Sequence, residues 1–130
     1  MNIFIIDGSK VGAGSFTMAL ANHEDFQIIG FVESAINVLD TVRRITPDVV
    51  ILDIEMPGRS GIGVLRELKR DLPNMPVIIF TRASNINYRA KCEEAGADYF
   101  FDKFREVQKV PLALKALTLR KSRPVVQKSL

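Results

Sequence analysis

Four apolar runs in this chain each hand over to a polar residue, and this limits the available folds more than any other feature. Ile3 to Ile6 is followed by Asp7, Val49 to Leu52 by Asp53, and Val77 to Phe80 by Thr81. The fourth run, Tyr99-Phe100-Phe101-Asp102, leads to Lys103. Four consecutive large apolar residues cannot all face one side of a strand, so the sheet they build is covered on both faces. In such α/β architectures the ligand site lies at the carboxyl ends of the strands. Asp53, followed at once by Ile54-Glu55-Met56-Pro57-Gly58, sits at such an end. An unpaired buried carboxylate is costly, so something positive must reach it: a metal, a lysine or both. The end of a strand accounts for any one of these polar residues; the set of Asp, Asp, Thr and Lys points to a shared site.

Strand-like and helix-like patterns alternate along the chain. Gly12-Ala13-Gly14-Ser15 leads into a short amphipathic helix through Phe16, Leu20 and Ala21, softened by its glycines. Gln27 to Val32 reads as a second strand. Ser34 is placed to cap a helix with apolar positions Ile36, Leu39, Val42 and Ile45. Ser60 or Gly61 opens another, with Ile62, Val64, Leu65 and Leu68 inward. Ser84 to Ala95 reads as a helix closed by Gly96. The last helix carries Val107, Val110, Leu114 and Leu117, with Pro111 tolerated in its first turn. This order predicts a doubly wound, five-stranded parallel sheet. In strand order 2-1-3-4-5 the first and third strands are neighbours, which brings Asp7 and Asp53 together.

A length of 130 residues, with 47% hydrophobic and 25% charged residues, fits one soluble globular domain. No apolar stretch is long enough to span a bilayer, nothing reads as a signal peptide, and no membrane partner is expected. The lone Cys92 suits a reduced, inert thiol in a cytoplasmic protein. All 15 acidic residues lie at or before Glu106, whereas 6 of the 18 basic residues follow it, so the pI of about 9.2 belongs to the tail. That asymmetry reads as a solvated helix face with a frayed end, and no nucleic-acid partner is expected. Residues 1–119 form the expected domain and 120–130 a flexible basic tail in which Pro124 marks the end of order.

Two segments carry a family resemblance: Pro47-Asp48-Val49-Val50-Ile51-Leu52-Asp53-Ile54-Glu55-Met56-Pro57-Gly58 and Gly96-Ala97-Asp98-Tyr99-Phe100-Phe101-Asp102-Lys103. In this order they resemble the receiver domain of bacterial two-component response regulators, from Asn2 to about Leu119. The resemblance implies the flavodoxin-like receiver fold. It also implies that Asp53 accepts a phosphoryl group from a histidine kinase, a phosphotransfer protein or a small phosphodonor. Phosphoryl transfer asks a protein mainly to position oxygens and neutralise charge. By the same resemblance Mg2+ is held by Asp7, Asp53 and the backbone carbonyl of Glu55, with waters completing its octahedron. Lys103 then pairs with a phosphoryl oxygen, Thr81 donates to another, and Phe100 stands at the switch aromatic, where a core aromatic is an equal reading.

The chain departs from the family pattern at three places. Gly8 follows Asp7 where a second acid is usual, so weak Mg2+ binding is expected. Arg82 follows Thr81 where a small residue is usual, and is expected to gate Asp53. Phe104 follows Lys103 where proline is usual, so that loop is expected to differ. The leading expectation is a single-domain receiver, monomeric or weakly dimeric, that signals by binding a downstream target protein. Its rival is a pseudo-receiver that docks partners without phosphorylation, and a truncated receiver is a remoter reading. Gly8 to Gly14 matches no dinucleotide or P-loop pattern, His23 reads as a loop residue, and no Ser-His-Asp or zinc spacing exists.

Overall fold

The computed structural model describes residues 1–8, 20, 23–56 and 59–122, with side chains to 120. The helix expected around Gly12 to Ala21 (apart from Leu20), Pro57-Gly58 and the tail from residue 123 lie outside the described residues. In chain order the elements are β1 (Asn2–Ile6), β2 (Gln27–Val32), α1 (Val38–Ile45), β3 (Val49–Leu52), α2 (Gly61–Asp71) and β4 (Val77–Thr81). They continue with α3 (Ile86–Glu94), β5 (Tyr99–Asp102), a 3-10 turn (Val107–Lys109) and α4 (Val110–Ser122). The five strands form one parallel sheet in the order β2-β1-β3-β4-β5, the expected doubly wound topology.

Alternation along each strand divides the core in two. Phe4, Ile6, Val50, Leu52, Val77 and Ile79 face α1, α2 and α3, where they meet Val38, Val42, Val64, Leu65, Leu68 and Cys92. Ile3, Ile5, Val49, Ile51, Ile78 and Phe80 face the other way, onto Val110, Ala113, Leu114 and Leu117 of α4. The central strands are therefore buried on both sides, as continuous apolar runs require. Burial also pushes the Cys92 thiol above its ordinary range, consistent with an inert packing residue.

Three helix starts differ from the sequence expectation; the last helix begins at Val110, with Val107 in the 3-10 turn before it. α1 begins at Val38, after Asn37 in the left-handed region (φ 56°), and Ile36 is 78% exposed. Val38 and Val42, one turn apart, carry its burial, so neither Ser34 nor Ile36 belongs to the helix. α3 begins at Ile86, capped by Asn85, whose side chain accepts from the Tyr88 N–H at 3.0 Å. Ser84 is left free for another partner. Gly96 closes this helix at φ 99° as expected, Pro111 sits in the first turn of α4, and α4 runs past Leu119 to Ser122.

Gly61 connects the fold to the site. A Cβ at this position would lie 2.2 Å from the Ile54 Cα, so α2 approaches the backbone immediately after Asp53 as only glycine permits. Gly61→Ala should displace either helix or loop and cost about 1–3 kcal/mol, in the range of overpacked sites. Chemical denaturation of the variant measures this; a midpoint equal to the parent's would mean that the approach is not rigid.

Candidate functional site

The strand ladder continues one residue past the strands and aligns their carboxyl ends. Asp7 N–H donates to Val32 O and Asp53 N–H to Ile6 O, both at 2.9 Å, and Lys103 N–H donates to Thr81 O at 3.0 Å. Four residues far apart in sequence thereby start from one edge and project into one crevice. Asp7, Asp53 and Thr81 are 3%, 2% and 0% exposed.

Asp53 is the hub. Its Oδ1 accepts from the Thr81 hydroxyl at 2.7 Å and from the Glu55 N–H at 2.9 Å, and its Oδ2 meets the Lys103 ammonium at 2.7 Å. The same ammonium lies 2.7 Å from Asp7 Oδ2. One buried lysine thus bridges two buried carboxylates, and the three groups sum to a single negative charge. Thr81 is used twice, since its Oγ1 also accepts the Ala83 N–H at 3.2 Å and so ties the segment after β4 to Asp53.

The other sequence candidates occupy different places. Glu55 is exposed, and its backbone N–H rather than its carboxylate reaches Asp53. Phe100 is buried in the core on the α3 side, with the Arg89 guanidinium 4.7 Å from its ring centroid. Arg82 is exposed and lies over Phe104 at 5.9 Å, outside the hydrogen bonds around Asp53. Phe104 is itself 74% exposed, and no cis peptide bond occurs among the described residues.

A hard divalent cation finds a partial match. Asp7 and Asp53 present oxygens close enough to share one ammonium, which is the donor chemistry magnesium takes. Among the described residues, however, no group of three His, Cys, Asp or Glu side chains assembles that could hold a metal ion. A cation there would have two carboxylates, with backbone and water completing its shell.

Sequence reasoning missed the polar network behind Lys103. Asp102 Oδ2 accepts from the Ser84 hydroxyl, and its Oδ1 accepts the N–H groups of Phe104 at 2.7 Å and Arg105 at 3.0 Å. Glu106 Oε1 accepts the Asp102 N–H at 3.0 Å, and its Oε2 pairs with Lys109 at 2.9 Å. The visible signal was an acid at each end of Asp102-Lys103-Phe104-Arg105-Glu106, where a short loop leaves N–H groups unpaired. The Ser84 hydroxyl, then the two backbone N–H groups, hold the Asp102 carboxyl below its usual range. The Lys109 hydrogen bond, then the Asp102 N–H, do the same for Glu106.

Groups with depressed folded-state values stabilise the fold above the ordinary carboxylate range and lose that contribution as pH falls through the folded values. The melting temperature should therefore be flat down to roughly pH 5 and fall below about pH 4, with a shallower fall for Asp102→Asn. Thermal melts across this range read it; parallel acid limbs for parent and variant would remove Asp102 from the account.

The sequence matches the family profile described as the response regulator receiver domain over residues 3–115. It is 31% identical over 120 residues to the probable transcriptional regulatory protein TcrX of Mycobacterium tuberculosis, covering 92% of this chain and 50% of that protein. It is 25% identical over 115 residues to the response regulator GacA of Pseudomonas aeruginosa, covering 88% of this chain and 54% of that one. The chain thus spans about half the length of these curated relatives. Among solved structures it resembles a DNA-binding response regulator of the LuxR family from Staphylococcus aureus. That likeness has TM-score 0.79 and 26% identity and covers 89% of this chain and 97% of that one. The isolated REC domain of RcsB from Salmonella enterica serovar Typhimurium has the same fold, with TM-score 0.83 and 23% identity over 95% of this chain and 90% of that one.

Proposed function

The chain belongs to the response regulator receiver domain family, and from that premise we propose that it accepts a phosphoryl group on Asp53 and passes the change on through protein contacts. The supporting observation is the environment of Asp53: a buried carboxylate at a strand end, held at 2.7 Å by both the Thr81 hydroxyl and the Lys103 ammonium. These are the groups a phosphorylated side chain needs nearby. In the reaction an Asp53 carboxylate oxygen attacks phosphorus while the bond from phosphorus to the donor's leaving atom breaks, its electron pair departing with the donor. Lys103 and Thr81 then turn from the carboxylate to phosphoryl oxygens, so the added charge is met by groups already in place. Glu55 N–H, fixed in the backbone, keeps Asp53 oriented throughout.

Donors in this reading are a histidine kinase, a phosphotransfer protein or a small acyl phosphate, and the receptor of the signal is a downstream protein. Asp53 takes part in its own phosphorylation and dephosphorylation rather than in turnover of another substrate. Magnesium, held by Asp7, Asp53 and the Glu55 carbonyl, would neutralise phosphoryl oxygens when bound. In the stand-alone, cytoplasmic form of the reading the domain is monomeric or weakly dimeric, and Phe100 and Thr81 relay the state of Asp53 to the surface. Arg82 is the gate, leaving Phe104 to meet the phosphoryl group. A second reading, a docking module independent of phosphorylation, draws on the Lys103 bridge, which already satisfies both carboxylates.

Intact-mass measurement after incubation with acetyl phosphate and magnesium separates the two. One added phosphoryl group, absent in Asp53→Asn, is the expected result; an unmodified parent protein would leave the docking module. In the same assay Arg82→Ala should change the rate of phosphorylation or hydrolysis, and equal rates would make Arg82 a surface residue.

Gly8→Asp should tighten magnesium binding, because it adds a hard oxygen ligand beside Asp7. A gain of about tenfold in affinity by titration is expected, equivalent to about 1.4 kcal/mol. No gain would remove the metal assignment. The new like charge against Asp7 should also lower the stability of the metal-free protein.

A further inference from the structure

Ser84 lies three residues beyond Thr81 and leaves the capping of α3 to Asn85. Its hydroxyl donates instead to Asp102, the last residue of β5 and the neighbour of Lys103. Asp102 is committed on every side: Ser84 on one oxygen, the N–H groups of Phe104 and Arg105 on the other, and its own N–H to Glu106. Beyond the β4–β5 ladder, which pairs Thr81 with Asp102, the segments carrying Thr81 and Lys103 are joined by the Lys103 N–H to Thr81 O at 3.0 Å and by the Ser84–Asp102 side chains.

We propose that Asp102 is a positioning residue, and that its hydrogen bond from Ser84 is a latch that makes the Thr81 segment and the Lys103 segment move as one. The inference deepens the reading of Asp53 as phosphoacceptor and rests on it for its purpose, though not for its geometry. A lysine side chain is long and rotamer-rich, so the reach of its ammonium depends on where its backbone is held. The backbone after Lys103 is a trans, proline-free loop, fixed by the carboxylates of Asp102 and Glu106. Hydrogen bonds to an ionised acceptor are roughly twice as strong as neutral ones, so a hydroxyl–carboxylate link is a firm joint. Thr81 in turn holds the Ala83 N–H while donating to Asp53, so its shift toward a phosphoryl oxygen pulls on Ser84 and thereby on Lys103. Both donors then arrive at the modified side chain together.

The test uses the full chain as parent, Ser84→Ala and Ser84→Thr, the last restoring the hydroxyl. Lysines are acylated with a small anhydride and mapped by mass spectrometry, with exposed Lys91 as the internal reference. In the parent, Lys103 should react slowly, since its side chain is 6% exposed and bound to both carboxylates. Ser84→Ala should raise Lys103 labelling about 10-fold relative to Lys91, as expected for loss of a hydrogen bond to a charged group, and Ser84→Thr should return it toward the parent value. Asp53 phosphorylation by acetyl phosphate should slow about 10-fold in Ser84→Ala, with the same rescue. Unchanged relative labelling of Lys103, or faster labelling with an unchanged phosphorylation rate, overturns the latch. If the parent takes no phosphoryl group, the phosphoacceptor reading falls, while Lys103 labelling still decides the latch.

Discussion

The Lys103 ammonium between Asp7 and Asp53 is the interaction on which the rest of the site depends. Two carboxylates at the carboxyl edge of a sheet buried on both faces have lost most of their water, and their mutual repulsion adds to that cost. One shared lysine, with Thr81 and the Glu55 N–H on Asp53, supplies what water no longer does. Removing one partner of such a buried set typically costs 3–5 kcal/mol, because it strands the other charge. The lysine does not bring the site to neutrality. By formal charge, two carboxylates face one ammonium.

That arrangement constrains the fold around it. The ladder bonds one residue past β1, β3 and β5 bring Asp7, Asp53 and Lys103 to the same edge, so a shift in register would scatter the site. α2 presses against the backbone after Asp53 through Gly61, so the loop that follows the phosphoacceptor candidate is packed on a helix. At the far side, Arg89 of α3 rests on Phe100, donates to the Phe100 carbonyl at 3.3 Å and pairs with Glu106 at 3.4 Å. Site, helix and loop are thus joined by side-chain contacts.

The departures from the family pattern have separate physical consequences. Gly8 adds no carboxylate beside Asp7. Phe104 sits where proline would have fixed the chain, and Asp102 and Glu106 hold the loop by hydrogen bonds instead. Arg82 and Phe104 lie against one another at the rim, so the unusual cation and the unusual aromatic are neighbours.

The apolar runs determined the sheet by themselves: continuous burial is written in Ile3–Ile6, Val49–Leu52 and Val77–Phe80, and two-sided cover follows from it. The site was legible for the same reason, since a residue that ends a buried strand has its position fixed by the strand. Helix starts were less legible. Ile36 and Ser34 fit a helical spacing, yet burial of Val38 and Val42 against the sheet set where α1 begins. The orientation of Arg82 toward Phe104, the exposure of Glu55 and the Ser84–Asp102 link belong to the tertiary structure alone. Each depends on which loops lie side by side at the sheet edge, and a hydrogen bond between residues 18 positions apart leaves no periodic trace in the chain.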